Sequence, residues 1–510
     1  MTDLANIAGV LDGPADGEPQ RPALIFDEAP RSSFGDLREA TMWWAATLAG
    51  RGVGPGMRVA LADWGGVRAT AATLAAAHLG AATAQMNPLL TSGELAQLVT
   101  SSGCSSVAVA GGEASAALSE ALGGDALVLQ QPEASPGETP ARAPGGGAEA
   151  LVLFTSGTTG LPKAVPISHR AVAARIRAYR GPFETGRRPS VTIMCVPSFH
   201  VGGILGLLLN LYGGDTTVIQ PRFDAGRWLA LVERHRVSSA FLVPTMLARI
   251  LDHPDLGTTD VSSIKMISYG AAAAPTELIA RAMEQWPDAG FANVFGQTET
   301  LGAYTTLSPA DHRDPRRLGS VGRPLPGVEI RIVDPTTGTD AATRDVGEIW
   351  VRSTQNVRAP DDGGDGDAGA AKGWLQTGDL ARRDADGFVY PVGRRSDVVN
   401  RGGEKFPPSE VADVLRTHPA VADVAVTGLP DAEMGERVGA AIVLRPGATR
   451  PTADGLRSWC RGRLAPFKLP EVVVFVDALP ANELGKLPRS VLVELISSKT
   501  TAEAGRAESP

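Results

Sequence analysis

The stretch Leu151–Val172, LVLFTSGTTGLPKAVPISHRAV, decides how the rest of the chain is read. An apolar, strand-like ALVLF runs into six positions, Thr155, Ser156, Gly157, Thr158, Thr159 and Gly160, which hold four hydroxyls and two glycines, and Lys163 follows. Such residues let backbone N–H groups turn toward an anion without side-chain bulk, and a lysine adds a cation. The stretch therefore reads as a phosphate cradle, with an ordinary Gly/Thr-rich turn as the alternative. Ser168 stands where it caps the next helix, in which Val172, Ile176 and Tyr179 share a face. The stretch fails the Walker A pattern, because anchoring it on Gly157 would require Gly at Pro162 and Ser or Thr at Ala164, which makes a P-loop NTPase the lesser reading.

Working outward, SFGDLREATMWWAATLAGRGV has helical spacing, whereas RVALAD and SSVAVAG read as buried strands. The alternation continues through VTIMCVPS, TTVIQP, SSAFLVP and SIKMISYG, each followed by a helix-compatible segment. This is an α/β pattern: a large amino-terminal domain of parallel-rich sheets covered by helices, residues 1–395. From about residue 325 to 395, VEIRIVD, GEIWVRS and GFVYPVGR predict a small antiparallel β subdomain. Residues 396–510 read as a small α+β domain whose tail frays after about Ser497. Gln130–Ala148 and Asp361–Ala371 read as surface loops.

Composition narrows the chemistry. A formal charge of -8 over 510 residues disfavours nucleic acid as a partner. Three scattered cysteines, Cys104, Cys195 and Cys460, suggest reduced thiols in a core, and no close His/Cys cluster suggests structural zinc. No apolar run is long enough to span a bilayer and the amino terminus lacks a basic-then-apolar signal, so the expectation is a soluble, cytoplasmic protein. The Asp361 loop lacks a calcium pattern, with Gly363 at the third ligand position and Lys372 where a bidentate Glu is needed. Oligomeric state has no signature here.

Five ordered segments carry a more specific signal: TSGTTGLPK (155–163), PSFHVGG (197–203), FGQTET (295–300), TGDLARRDADGFVYPVGRRSD (377–397) and LGKLPR (484–489). Together they resemble the signature set of the adenylate-forming superfamily, which includes acyl-CoA synthetases, the adenylation domains of peptide synthetases and firefly luciferase. The resemblance extends from about Ser33 to Leu495. It implies ATP, Mg²⁺ and coenzyme A as cofactors. It also implies an AMP-forming acid–thiol ligase that activates a small-molecule carboxylic acid.

The resemblance assigns roles residue by residue. An anionic nucleophile must meet a polyanion, so positive charge has to offset repulsion; Lys163, Mg²⁺ and Lys486 are the candidates. Thr155 and Glu299 would hold the metal, or Glu299 is a solvated carboxylate. Asp379 would accept hydrogen bonds from the ribose hydroxyls, assisted by Arg394. Gly270, Ala271 and Ala272 would lie along adenine, with Phe295 stacked on the base and Gly296, Gln297 and Thr298 completing the nucleotide site.

His200 would gate or orient the acid without moving a proton, because a carboxylate is already ionised at neutral pH; a core histidine is the alternative. With Val201, Gly202, Gly203, Gly270, Thr298, Leu301 and Gly302 it would line the acid pocket. That pocket reads as wide and apolar, since no Asp follows His200 to pair an ammonium group, and Gly206 adds further room. A bulky hydrophobic acid is the expected substrate. Asp397 would be the hinge of a mobile lid, Gly402, Gly403 and Glu404 would line the thiol tunnel, and Lys468 reads either as a CoA contact or as a surface lysine. Departures from the family pattern include Ala412 in place of an acidic residue and the Gly/Asp loop before GWLQTGD. The alternative acceptor is an acyl carrier protein or a partner enzyme, and a non-catalytic relative is the third reading.

Overall fold

The β-branched runs of the first two thirds assemble into a nine-stranded sheet. Edge to edge it runs Arg323–Pro324, Gly302–Leu307, Gly290–Gln297, Met266–Gly270, Ser239–Leu242, Val191–Met194, Thr216–Ile219, Pro22–Phe26, Ser32–Ser33. The six strands from Gly290–Gln297 to Pro22–Phe26 are mutually parallel, and antiparallel strands close both edges. A computed structural model describes residues 4–26, 31–104, 108–110, 114–121, 126–128, 140–155, 162–180, 189–355, 373–480 and 487–507.

A second sheet orders Ala126–Val128, Ala108–Ala110, Arg58–Ala62, Ala82–Met86, Glu149–Thr155 and Lys163–Ser168, parallel except for the last strand. Parallel strands are buried on both faces, so helices must cover them. The helices Phe34–Gly50, Val67–His78, His169–Arg180 and Val201–Tyr212 share one core with strands of both sheets, including Trp44, Leu74, Leu151, Ile176 and Ile219. Val67–His78 is buried from Ala69 onward, and its alanines let neighbouring elements approach closely. Phe34–Gly50 starts in a capping box: Ser33 Oγ accepts from Asp36 N (3.1 Å) and Asp36 Oδ2 from Ser33 N (2.9 Å), a pair that stabilises the helix by about 1 kcal/mol.

The chain forms two compact units, residues 1–329 with 352–368 and residues 330–351 with 369–510. Most of the sheet Val328–Val333, Gly347–Ser353, Leu375–Arg383, Val389–Arg394 lies in the second. That unit also holds a five-stranded sheet in which Val472–Phe475 runs parallel to Gly435–Leu444 and the long hairpin Val421–Asp431/Gly435–Leu444 is antiparallel. Helices Pro408–Arg416 and Ala453–Cys460 bury Val411, Leu415 and Leu456 against it.

Two expectations change on folding. The last helix, Arg489–Ala507, continues beyond Ser497, because the following residues are mostly helix-compatible and no proline intervenes before Pro510. The described end of the Gln130–Ala148 loop is pinned: Gly146 N donates to Ala5 O and Ala143 N to His78 O, both at 2.8 Å. Gly145 passes so close that a Cβ would stand 1.9 Å from Ala5 O. The Asp361–Ala371 loop lies outside the described residues. Cys104, Cys195 and Cys460 are buried and unpaired.

His169 ties the amino terminus to this fold. It is fully buried, Ile7 N donates to its Nδ1 at 3.0 Å, and Nε2 has no partner among the described residues. Burial pushes its pKa down to about 4 from 6.5. The unfolded chain therefore binds the proton near pH 6.5 and the folded chain only near 4, so this residue's contribution is full above pH 6.5 and is lost as pH falls toward 4. The loss is roughly 3 kcal/mol. Asp63, which burial pushes up to about 6, has the opposite slope. The measurement is therefore a difference: denaturant stability of the parent minus that of His169→Asn should shrink from pH 7 to pH 4.5, and a pH-independent difference would contradict the assignment.

Candidate active site

In the first unit the cradle segment is the connection of a hairpin. Glu149–Thr155 and Lys163–Ser168 pair antiparallel with Thr155 opposite Lys163, so the two ends of the loop are held side by side by sheet hydrogen bonding. Ser156, Gly157, Thr158, Thr159 and Gly160 lie outside the described residues. Lys163 is exposed, and Ala171 N donates to Ser168 Oγ at 3.2 Å, the expected cap.

The next strand pair brings four more residues into a tight turn. Gly290–Gln297 runs into the short helical turn Thr298–Thr300 and returns as Gly302–Leu307, with Gln297 opposite Gly302. Thr300 Oγ1 accepts from Gln297 N (3.1 Å) and shares its proton between Gln297 O (2.9 Å) and Gly302 O (2.7 Å). Leu301, fully buried, takes a left-handed φ of 51° to complete the turn. A Cβ on Gly296 would lie 2.0 Å from Gly302 O, so only glycine fits there. Glu299 at the tip is half-buried, and its carboxylate makes no hydrogen bond or ion pair among the described residues. Phe295 packs edge-on against Tyr304, centroids 5.3 Å apart.

Gly270 ends the neighbouring parallel strand, where a Cβ would meet Val294 O at 2.1 Å. Ala271 then adopts φ 68°, turning the Gly270–Ala272 backbone beside Val294 and Phe295. The Tyr269 hydroxyl before it is anchored on His312 Nε2 at 2.9 Å.

His200 is the extended residue before helix Val201–Tyr212, with its ring 4.6 Å from that of Phe199. Phe199 in turn meets Trp64 at 6.0 Å. The glycines that follow do different work. Gly203 packs on the backbone, since a Cβ would stand 2.0 Å from Pro197 O. Gly202 and Gly206 line a cavity of about 300 Å³, together with Tyr179, Thr192, Phe241 and Ser268. Among the sequence-derived pocket residues, only Gly202 and Gly206 are in this lining; His200, Val201, Gly203, Gly270, Thr298, Leu301 and Gly302 are not. The strand residues Thr192, Phe241 and Ser268 carry no motif, and their place in the wall follows from the sheet order alone.

In the second unit Asp379 and Arg394 are opposite one another on adjacent antiparallel strands. Arg394 Nε lies 3.1 Å from Asp379 Oδ1, with the carboxylate buried and the guanidinium exposed. Gly378 takes φ 73°, and its N–H donates to Glu348 Oε1 at 3.0 Å. Buried Glu348 also receives Arg395 Nη1 at 3.2 Å, a supporting role that sequence reading missed because no motif includes it.

Asp397 closes the helical turn Arg395–Asp397, and Arg489 Nη1 donates to Ser396 O at 2.8 Å. Arg489 also pairs with Glu436, whose Oε2 accepts Asn400 N at 2.7 Å. The start of the last helix is thus tied to the strand after Asp397. Gly402 and Gly403, φ 59° and 92°, form the turn that leads to exposed Glu404. Lys468 pairs with Glu410 over the rings of Phe406 and Phe467. Lys486 lies outside the described residues.

The donor chemistry suits a magnesium nucleotide. A lone half-buried carboxylate and one threonine hydroxyl are too few for a protein-only metal cage, and among the described residues no cluster of three His, Cys, Asp or Glu side chains could hold a metal. Magnesium characteristically takes one or two protein oxygens and completes its shell with phosphate and water.

Comparison with known proteins agrees with this arrangement. A family of AMP-binding enzymes matches residues 11–359, and the AMP-binding enzyme C-terminal domain matches residues 410–486. A medium/long-chain-fatty-acid–CoA ligase of Mycobacterium tuberculosis is 36% identical over 342 residues, 66% of this chain and 59% of that protein. The chain spans about 59 to 63% of the length of the first curated relatives it matches. Among solved structures, the amide bond synthetase of Marinactinospora thermotolerans superposes with a TM-score of 0.84 at 28% identity, covering 96% of this chain and 99% of that one. The o-succinylbenzoate coenzyme A synthetase of Bacillus subtilis, solved with ATP and a magnesium ion, superposes with a TM-score of 0.82 at 29% identity over 94% of this chain and 98% of that one. Among the described residues no helix is long and apolar enough to cross a membrane. Since the family match takes in well over half of its length and includes the Thr155–Lys163 hairpin and the Glu299 turn, the chain belongs to the AMP-binding enzymes.

Proposed function

We propose that this protein activates a bulky hydrophobic carboxylic acid with ATP to acyl-adenylate, releasing pyrophosphate, and then transfers the acyl group to coenzyme A. The observation that carries the reading is the hairpin that sets Thr155 opposite Lys163 at the two ends of the cradle. It offers a hydroxyl and a mobile cation at one edge of a rigid sheet, which is what a transferring phosphate needs.

In the first half-reaction an acid oxygen bonds to the α-phosphorus and the bond to pyrophosphate breaks. Lys163 and Lys486 offset the charge that builds as these groups meet. When bound, magnesium would supply further charge neutralisation, and Glu299 and Thr155 would hold it. Asp379 accepts hydrogen bonds from the ribose hydroxyls while Arg394 holds its carboxylate in place. Gly270–Ala272 and Phe295 receive the adenine, Gly296, Gln297 and Thr298 border it, and His200 orients the acid at the mouth of its pocket.

In the second half-reaction the CoA sulfur bonds to the acyl carbon and AMP leaves. The proposal includes a domain division at residues 395/396 with Asp397 as the hinge, which presents Lys486 for the first step and the Gly402–Glu404 turn for the second. The pairing of Arg489 with the Ser396 carbonyl supports a link between the Lys486 segment and that hinge. Lys468, already paired with Glu410, would have to exchange partners to meet a CoA phosphate.

The acid class rests on the cavity beside helix Val201–Tyr212. Gly202 and Gly206 leave about 300 Å³ there, enough for an aromatic or branched acyl group. A second reading, transfer to an acceptor other than CoA, draws support from the similarity to an amide bond synthetase. The acceptor would then be an amine, a carrier protein or a partner enzyme.

Pyrophosphate release measured over a panel of fatty, aryl and amino acids should favour bulky apolar acids over acetate and glycine, and CoA consumption should accompany it; pyrophosphate without CoA consumption selects the second reading. Lys486→Ala should abolish acyl-adenylate formation yet spare thioester formation from supplied acyl-adenylate, and equal loss in both assays would count against the hinge. Gly206 has open space where a Cβ would point, so Gly206→Leu should fill the cavity without straining the helix. Its expected effect is roughly a tenfold rise in KM for the best bulky acid, with a melting temperature unchanged or higher.

A further inference from the structure

Arg175 is the buried charge that the proposed chemistry does not use. It sits on helix His169–Arg180 at 3% exposure, where burial lowers its pKa, and no carboxylate pairs with it among the described residues. Nη1 donates to the Ala303 carbonyl and to Gln355 Oε1, the latter at 3.0 Å. Buried Nε has no acceptor, and Nη2 makes no hydrogen bond among the described residues.

Two contacts say where the unused side of this fork faces. A Cβ built on Gly302 would stand 3.2 Å from Nη2 and 3.5 Å from Leu205 Cδ1, so the missing side chain leaves Nη2 uncovered. Gly302 is three residues past Glu299, at the exit of the same turn. On its other side the guanidinium lies 4.3 Å from the centre of the Tyr179 ring, one turn further along the helix, and Tyr179 lines the cavity beside Gly202 and Gly206. A guanidinium kept dry with donors unpaired is costly unless a ligand pairs them.

We propose that Arg175 is a specificity-determining residue of the acid pocket, and that the acid it selects carries an acceptor oxygen at the end remote from the carboxyl group that is activated. The fork geometry accepts either a neutral carbonyl or a second carboxylate there. This inference rests on the proposed acid-activating function and narrows its substrate from a purely hydrocarbon acid to one with a polar tip.

The test uses the full chain and three cinnamic acids of nearly equal shape, substituted at the para position with isopropyl, acetyl or carboxylate, alongside the general acid panel. Pyrophosphate release by the parent should favour the acetyl or the carboxylate compound over the isopropyl one by at least about tenfold in kcat/KM, and which of the two leads decides between a neutral and an anionic tip. Arg175→Met should erase that preference while keeping turnover of the isopropyl compound. Equal losses on all three would mean a structural clamp and overturn the inference, as would a parent with no preference. Should Arg175→Met fail to fold, Arg175→Lys decides: it should keep a preference for the carboxylate and lose that for the ketone, and unchanged ratios overturn the proposal. Release with other panel acids but none of the three sinks this inference alone, whereas no release with any acid sinks the proposed function with it.

Discussion

One hydroxyl holds the centre of the site together. Thr300 Oγ1 accepts the amide of the strand that arrives, Gln297, and returns its proton to carbonyls on both sides of the turn. That bond set forces the chain to reverse within three residues, through a buried leucine in the left-handed region, a conformation that costs on the order of 1 kcal/mol and is kept only where the surroundings demand it. The reversal places Glu299 in the turn, its carboxylate without a partner among the described residues, sets Gly302 against Arg175, and brings Gly296 so near the returning strand that no side chain fits.

Charge is distributed with the same economy. Two carboxylates are buried and each is steadied by one cation, Asp379 by Arg394 and Glu348 by Arg395. Other charged groups are arranged differently: Lys163 is exposed at a strand end, and the half-buried Glu299 carboxylate makes no hydrogen bond or ion pair among the described residues. A long flexible ammonium can follow a moving phosphate, whereas a fixed carboxylate pair defines a pocket. The pairing of Lys468 with Glu410 belongs to the second kind, and its ammonium lies over two phenylalanine rings.

Glycines mark two separate physical needs along one helix. Gly203 lets the helix start touch the backbone of Pro197, while Gly202 and Gly206 line the cavity, Gly202 close against Phe241 and Gly206 with open space where a Cβ would point. The sequence presents all three alike, as small residues after His200. Only the direction in which each missing Cβ would point separates packing from recognition, and that direction depends on the rotation of the helix against the sheet.

Much of the architecture was legible because it is local. The alternation of apolar runs with helical periods announced parallel sheets, and the hydroxyl and glycine spacing of residues 155 to 163 announced a loop after a strand, since backbone conformation follows from neighbouring residues; the returning strand Lys163–Ser168 was not read from the sequence. Family motifs marked Asp379 and Arg394, which fall opposite each other on adjacent strands. What the linear chain left undecided were contacts between residues far apart in it: Arg175 meeting Gly302 and Ala303, Gln355 meeting Arg175, and Thr192, Phe241 and Ser268 forming one wall. These depend on strand order and helix rotation, which arise from burying a common core. No property of the individual residues carries that information, so the lining of the cavity beside helix Val201–Tyr212 was decided only by tertiary structure.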